Sequence, residues 1–209
     1  MNYIEFHRKY KDRPLVLSRD VLKGLPDPQA MRNQLGRWQD RKLLSKLRRG
    51  VYVFTAEVKP DVSWVANRLY EPSYLSLEYA LSFYDLIPEK AADITSVTTL
   101  KTMRFKNKLG YFLYRHVKPE VFRGFRKMGD AKLPFFMAEP EKAVVDFLYF
   151  KLPVFIKKET REILKESYRF QNYEDLDPRK LRRWAKLFQN AKLAKVTNEF
   201  CRMVREDSA

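Results

Sequence analysis

A change in the spacing of apolar residues divides this chain of 209 residues into segments of different secondary structure. Before residue 94 and after residue 139, apolar residues mostly recur three or four positions apart, as the buried face of an α-helix requires. Between residues 94 and 138 this spacing is lost, and the pattern indicates strands separated by Gly110, Gly124 and Gly129. The sequence therefore predicts an α+β fold.

The first 56 residues have the pattern of a winged helix-turn-helix domain, in which three helices precede a β-hairpin. Loosely helical spacing over residues 2–11 predicts the first helix, and Ser18 is a suitable N-cap for a short second helix that Gly24 ends. Asp27 followed by Pro28 predicts the start of the third helix. The buried stripe of that helix consists of Met31, Leu35 and Trp38.

Two apolar runs on either side of Arg48, Arg49 and Gly50 predict the hairpin, with glycine in its turn. A polar stretch at residues 56–61 separates this domain from a second one, which we predict over residues 60–209. The second domain is predicted to be mixed α+β with a helical C-terminal tail. Its expected helices lie at 62–69, after residue 72, from residue 140, and at about 157–169, 178–189 and 191–205; its expected strands lie at 94–99, 111–117, 121–125 and 133–137.

The charge of the chain is strongly positive. Lysine and arginine number 42 against 26 acidic residues, which gives a formal net charge of +16. Half of this excess lies in the first 60 residues, which contain 14 basic and 6 acidic residues. Such a charge points to a polyanionic partner or to an acidic protein partner.

Polar side chains suited to reading DNA lie on the third predicted helix, on the face opposite its buried stripe. Arginine can contact both acceptors of guanine in the major groove, and asparagine or glutamine matches the donor and acceptor of adenine. Basic residues of the hairpin lie where a wing would follow the DNA backbone, and two further residues begin the preceding helix. The predicted DNA-binding residues are Ser18, Arg19, Gln29, Arg32, Asn33, Arg37, Lys46, Arg48 and Arg49.

The alternative interpretation of these residues is a solvated helix face and a basic turn in a protein-binding winged helix. A second basic face is predicted on the last two helices, where residues 178–205 contain nine basic residues and one acid, Glu199. Such a face is most often simply solvated, but it could add phosphate contacts or bind an acidic protein. Its members are Arg179, Arg182, Arg183, Lys186, Lys192, Lys195 and Arg202.

The sequence contains no recognisable catalytic or metal-binding constellation. The single cysteine, Cys201, excludes a disulfide framework and a thiolate zinc site, and two histidines, His7 and His116, are too few for a histidine cluster. No phosphate-binding loop, dinucleotide fingerprint, nucleophile elbow or zinc-protease motif occurs. We expect a non-enzymatic protein without cofactor or metal. The absence of a signal peptide and of a long apolar stretch predicts a cytoplasmic protein with no membrane span.

Two weaker patterns have better explanations than the functions that they suggest. The aromatic run at residues 109–116 superficially resembles an RNA-stacking strand, but alternation around a core explains it better. Asp130 and Lys132 match the last part of a metal-dependent nuclease motif, but a turn explains them better. Glu78, Glu141 and Asp146 lie on apolar helices, where a capping or buried hydrogen-bonding role is the ordinary one.

Several motifs in order along the chain resemble the AbiEi-type antitoxins of bacterial type IV toxin–antitoxin (abortive infection) systems. The resemblance covers roughly residues 15–150, and the order and spacing of the motifs carry it. The motifs are YLSLEYALSFYDLIPE at 74–89, ITSVT at 94–98, GYFLY at 110–114 and AEPEKAVVDFLY at 138–149, with LLSKLRRGVY at 43–52 as the wing.

The resemblance implies a transcriptional repressor that binds inverted repeats in its own promoter through the winged helix. It also implies that the C-terminal domain counteracts a cognate nucleotidyltransferase toxin, with or without stable contact between the two proteins. By position in the motif, the DNA-binding role carries over to Gln29, Arg32, Asn33, Arg37 and the basic residues of the wing. No toxin-neutralising residue carries over.

Overall fold

The computed structural model describes residues 1–56, 60–155 and 160–207. Within these ranges the fold is α+β, as the sequence predicts. The first part contains helices and strands in the order α1 (Tyr3–Tyr10), β1 (Val16–Leu17), α2 (Ser18–Leu22), α3 (Pro28–Asp40), β2 (Leu44–Arg48) and β3 (Val51–Phe54). The second part continues with α4 (Val62–Leu69), β4 (Ser73–Leu75), α5 (Leu77–Phe83), β5 (Ile94–Thr98), β6 (Met103–Asn107), β7 (Gly110–His116), a 3-10 turn (Pro119–Val121), β8 (Phe125–Met128), β9 (Phe135–Ala138), α6 (Pro140–Phe155), α7 (Thr160–Glu162), a π-helical turn (Ile163–Ser167), α8 (Pro178–Leu187) and α9 (Ala191–Asp207).

A small antiparallel sheet of order β1-β3-β2 packs with the first three helices. Their shared core is built around Phe6, Leu35 and Trp38, each almost completely buried. Helix α1 begins with a capping box, because the Asn2 side chain accepts from the Glu5 amide while Glu5 accepts from the Asn2 amide. The predicted helix over residues 2–11 and the predicted hairpin are confirmed.

The larger sheet is mixed, with the strand order β6-β7-β5-β4-β9-β8. Its central strands β4 and β5 are buried along their whole length, whereas the edge strand β6 is mostly exposed. Parallel pairs join β4 to β9 and β5 to β7, and the other neighbours are antiparallel. Helix α6 packs against α5, α8 and α9, so the C-terminal helices continue the core of this sheet.

Three parts of this sheet differ from the sequence prediction. Residues 73–75, predicted to begin a helix, form the fully buried strand β4, and the helix begins only at Leu77. The expected strand at 121–125 is replaced by a 3-10 turn, because Gly124 at a φ of +79° breaks the chain and β8 starts after it. The edge strand β6 was not predicted, since its exposed, charged residues lack the apolar signal of a buried strand.

The predicted C-terminal helices are found, with one part outside the described residues. Asp177 caps α8 by accepting from the Arg179 amide at 2.7 Å, as predicted from the Asp-Pro pair. Residues 156–159, at the start of the helix predicted for 157–169, lie outside the described residues. The remainder of that prediction corresponds to α7 and the π-helical turn that follows it.

The two parts of the chain share apolar contacts. The core of the large sheet includes Leu15, Leu47, Val51 and Val53 from the first part. Strand β2 lies beside β6, where the Asn107 amide donates to the Leu47 carbonyl at 3.2 Å. The predicted boundary between domains at 1–56 and 60–209 remains a prediction, and residues 57–59 lie outside the described ranges. In the part of the chain that the structure describes, no helix has the length and apolar character that crossing a bilayer requires.

Candidate nucleic-acid interface

Helix α3 presents one polar face to solvent because its apolar side chains are confined to the opposite face. The helix begins at Pro28, and the Asp27 carboxylate accepts from the backbone amides of Gln29 and Ala30 at 3.0 and 2.9 Å. This cap satisfies two of the free amides of the first turn. Burial of the predicted stripe, with Leu35 only 1% exposed, fixes the rotation of the helix. The exposed face carries the four predicted reading residues Gln29, Arg32, Asn33 and Arg37.

Two hydrogen bonds join polar side chains of this face to one another, and most of their other donor and acceptor groups have no partner in the described structure. Gln29 donates to the Asn33 side chain at 3.1 Å, and Arg32 donates to Gln29 at 3.4 Å. Arg37 has no side-chain partner within the described ranges. Two acids flank them, Asp27 at the N-cap and Asp40 in the last turn of the helix. The face therefore offers amide and guanidinium groups for contact with another molecule.

Gly36 lies at the centre of this face, and no internal contact explains why it is glycine. A Cβ atom added there would meet no atom within 4 Å, and the residue is helical and exposed. Glycine in the middle of a helix is unfavourable by roughly 1 kcal/mol relative to alanine. A glycine on an exposed face does, however, let another backbone approach closely. The most open point of α3 thus lies between Asn33 and Arg37.

The β2–β3 hairpin projects next to α2, and Ser18 holds its turn. The Ser18 amide donates to the Gly50 carbonyl at 2.8 Å, and a Cβ on Gly50 would lie 2.8 Å from the Ser18 Oγ. The predicted N-cap role of Ser18 is wrong, because Leu17 is the N-cap and no side chain caps α2. Ser18 is half-buried and positions the hairpin turn, whereas Arg19 in the same helix is exposed.

The two arginines of the hairpin turn, which the prediction treated alike, differ in the structure. Arg49 is exposed, and no contact of its side chain occurs within the described ranges. Arg48 is half-buried, donates through Nη1 to the Arg49 carbonyl at 3.3 Å, and has a buried Nε atom without a partner in the described structure. Burial raises the pKa of the Tyr114 hydroxyl, and the charge of the nearby Arg48 opposes that rise. Arg48 thus faces the second part of the chain. Lys46 of β2 is exposed.

The second basic face, on α8 and α9, uses part of its charge internally. Arg182 donates to the Asn198 side chain at 3.0 Å and to the Pro178 carbonyl at 3.4 Å. Arg202 forms an ion pair with Glu199 at 2.7 Å, and the Arg183 guanidinium lies 4.9 Å from the Trp184 ring centre. The other four predicted members are exposed, with no side-chain contact within the described ranges: Arg179, Lys186, Lys192 and Lys195.

The residues considered for other chemistry have structural roles. Asp130 accepts from the Lys132 and Leu133 amides, which confirms the predicted turn. The aromatic run at 109–116 alternates, with Phe112 and Tyr114 fully buried, so these rings belong to the core. Cys201 is buried, and burial raises the pKa of its thiol. Within the described ranges no group of three or more His, Cys, Asp or Glu side chains is placed to hold a metal ion.

A capping or buried hydrogen-bonding role was predicted for Asp146, but the buried charged cluster around it was not. Asp146 pairs with Lys142 one helical turn earlier, and it accepts from the Tyr74 hydroxyl at 2.9 Å and the Ser76 hydroxyl at 2.8 Å. Lys142 and Asp146 are both 0% exposed, and burial lowers the pKa of Lys142 while Asp146 opposes that change. The sequence signal for this cluster is a lysine and an aspartate four residues apart in a mostly apolar helix. The cluster joins α6 to β4 and to the residue before α5.

Comparison with protein-family models gives no match, and comparison with curated proteins gives no significant relative.

Proposed function

We propose that this chain binds double-stranded DNA, with its first 56 residues acting as a winged helix-turn-helix. In this proposal α3 is the recognition helix and the β2–β3 hairpin is the wing. The order of helices and strands, with a short strand β1 completing a sheet of order β1-β3-β2, is the layout that this interpretation requires. The chain would bind and would not catalyse a reaction.

The observation that carries the proposal is the exposed face of α3. Arg32 and Asn33 are side chains that can read guanine and adenine, and neither is paired with an acidic residue in the described structure. Gly36, between Asn33 and Arg37, lets the helix lie deep in a groove. Arg49 extends the positive charge toward a neighbouring stretch of phosphate.

The decisive experiment measures affinity of the full chain for the DNA upstream of its own gene and for a scrambled duplex of equal composition. Fluorescence anisotropy at fixed salt should give a preference of about a thousandfold or more for the natural sequence. The control variant Arg179→Ala, on the other basic face, should keep that preference. Equal affinity for both duplexes would contradict the repressor function.

On the sequence resemblance, we further propose that the protein is a cytoplasmic autorepressor and antitoxin of a type IV toxin–antitoxin system. It would bind inverted repeats in its promoter and counteract a cognate nucleotidyltransferase toxin. Where the neighbouring gene encodes such a nucleotidyltransferase, co-expression of this chain should restore the growth that the toxin arrests. The double variant Arg32→Ala/Asn33→Ala should still restore growth, because the antitoxin role is assigned to the second domain. Failure of the unmodified chain to rescue growth would overturn the antitoxin proposal.

A second candidate function is an interaction module that binds an acidic protein. The exposed lysines of α8 and α9, Lys186, Lys192 and Lys195, favour it, because they have no side-chain partner within the described ranges. In that case Lys186→Glu/Lys195→Glu should abolish co-purification with a neighbouring gene product. The unmodified chain should then bind natural and scrambled DNA equally.

A further inference from the structure

A pocket of about 410 Å³ lies between the β2–β3 hairpin turn and helix α4. The segment before β1, the start of α2, the hairpin turn and α4 all contribute to its wall. Leu15, Val51 and Trp64, all buried, supply apolar surface. A volume of this size lies within the range of small-molecule sites. The pocket therefore joins the two parts of the chain at one point.

Five arginines from four separate segments line this pocket: Arg13, Arg19, Arg48, Arg49 and Arg68. Two acids pair with members of this set. Glu71 lies 2.9 Å from Arg68, and Asp20 lies 3.7 Å from both Arg13 and Arg19. Among the described residues, five positive and two negative charges leave three positive charges uncompensated. Placing like charges together is unfavourable unless an anion neutralises them.

Of these five arginines, only the two in the hairpin turn have guanidinium groups without an acidic partner in the described structure. Arg49 has no side-chain contact in the described structure, and Arg48 contacts only a backbone carbonyl. The Nε atom of Arg48 is sealed from solvent without a partner, so one side of its guanidinium group is desolvated. Because charge interactions strengthen where water is excluded, an anion at the open side of Arg48 would be held strongly.

We infer that this pocket binds a compact anion carrying two or more phosphate groups. The planar guanidinium group matches phosphate oxygens in paired hydrogen bonds, and arginines arriving from four segments can engage several oxygens at once. A single carboxylate would leave most of these donors unused. The bound anion would connect the hairpin turn to α4 and so fix the hairpin against the second part of the chain.

The test is isothermal titration of the full chain with sodium tripolyphosphate at constant ionic strength, in the absence of DNA. We expect saturable binding at one site per chain. Arg49→Gln should weaken it about tenfold or more, since each charge-assisted hydrogen bond that is lost has an effect of that size. The Arg49 side chain makes no contact with the described residues, so this variant should fold normally. Arg68→Gln provides a second variant on the opposite wall.

The matched control is Arg123→Gln, which removes one exposed arginine of the second part that does not line the pocket. It should bind tripolyphosphate as the unmodified chain does. Absence of binding, or equal weakening by Arg49→Gln and Arg123→Gln, would overturn the inference. Because no DNA is present, either result is distinct from failure of the proposed DNA-binding function.

A competition experiment distinguishes the two sources of phosphate that could occupy the pocket. If a DNA backbone phosphate is the natural occupant, tripolyphosphate should displace bound duplex at concentrations near its own Kd. If a free polyphosphate ester is the occupant, duplex and tripolyphosphate should bind together. In the first case Arg49→Gln should raise the tripolyphosphate concentration needed for displacement, in line with its weaker tripolyphosphate binding. Displacement at an unchanged concentration in that variant would overturn the assignment to this pocket.

Discussion

The two basic faces of this chain are alike in sequence, but the structure uses their charges differently. On α3 and the hairpin, Arg37, Lys46 and Arg49 are exposed and have no side-chain partner within the described ranges. On α8 and α9, Arg182 bonds to two oxygen atoms of the same helix pair, and Arg202 pairs with a nearby glutamate. A cation with an internal partner must release it before it can bind phosphate. The second face nevertheless keeps four exposed cations without a side-chain partner in the described structure, so the number of free charges does not separate the two faces. The first face differs because its free cations lie beside amide side chains that can read bases.

The largest expected effect is the salt dependence of DNA binding. Six to ten phosphate contacts would lower affinity by roughly 10³–10⁵ between about 50 and 200 mM salt. The double variant Lys46→Glu/Arg49→Glu, in the hairpin, should reduce the slope of log affinity against log salt by about two, because each lost phosphate contact removes about one. Anisotropy titrations at four salt concentrations give this slope.

The matched variant Lys186→Glu/Lys195→Glu reverses two exposed, unpartnered charges on the other face. It should leave the salt slope almost unchanged. If this variant reduced the slope as strongly as the hairpin variant, both faces would contact DNA phosphates to the same extent. The first face would then have no special role in DNA binding.

The next largest effect is a loss of stability expected on breaking the buried ion pair of Lys142 and Asp146. This pair places two charges inside the core of the second part of the chain. Replacing Lys142 with methionine leaves Asp146 buried without its cation. Removing one partner of a buried ion pair costs about 3–5 kcal/mol of unfolding free energy. Chemical denaturation followed by circular dichroism measures this loss.

Two controls separate this cost from loss of packing. The double variant Lys142→Met/Asp146→Asn removes both charges, keeps an acceptor oxygen for the Tyr74 and Ser76 hydroxyls, and should be more stable than Lys142→Met alone. Lys151→Met breaks the partly exposed pair with Glu78 and should cost less than about 1 kcal/mol. A small loss for Lys142→Met, comparable to that for Lys151→Met, would show that the buried pair does not stabilise the core.

Base reading by Arg32 should produce a smaller but more specific effect. Arg32→Ala removes a side chain that can contact guanine, and one such contact contributes about 1–3 kcal/mol of discrimination. The variant should therefore lose preference at one operator position while keeping most of its affinity for scrambled DNA. Binding to a library of single-base operator variants measures this change. Arg49→Ala should instead lower the affinity for all DNA sequences alike. A uniform loss of affinity for Arg32→Ala would indicate that Arg32 contacts the DNA backbone and not a base.

Local signals in the sequence were sufficient to predict α3 and its exposed face. Asp27 and Pro28 define the first turn, and the stripe ending at Trp38 fixes which side is buried. The hairpin was predicted for the same reason, since apolar runs flank Gly50. These features depend on residues close together in the chain.

Features that depend on distant parts of the chain could not be predicted in this way. Strand β4 is only three residues long and is defined by its neighbours β5 and β9. The different roles of Arg48 and Arg49 depend on where the second part packs against the hairpin turn. The same holds for Lys142, which is buried because α6 is surrounded by α5, α8 and α9. Sequence spacing shows which side of an element is polar, but not what packs against it.

The smallest expected effect comes from Gly36→Ala, and it separates stability from binding. Alanine is favoured over glycine in a helix interior by about 1 kcal/mol. Apart from its chain neighbours and the backbone of its own helix, the added Cβ would meet no described atom within 4 Å. The variant should therefore be slightly more stable than the unmodified chain in a thermal denaturation experiment. Its affinity for operator DNA should fall, because the new methyl group lies where α3 approaches the duplex most closely.

Opposite changes in stability and affinity are the informative result, since a variant that is merely damaged loses both. Gln39→Ala, at an exposed position toward the edge of the same helix, provides the control and should leave DNA affinity nearly unchanged. If Gly36→Ala stabilised the protein and bound the operator as tightly as the unmodified chain, the centre of this face would not contact DNA. Close approach of DNA would then not explain why residue 36 is glycine. The free cations of the first face would have to bind a different partner.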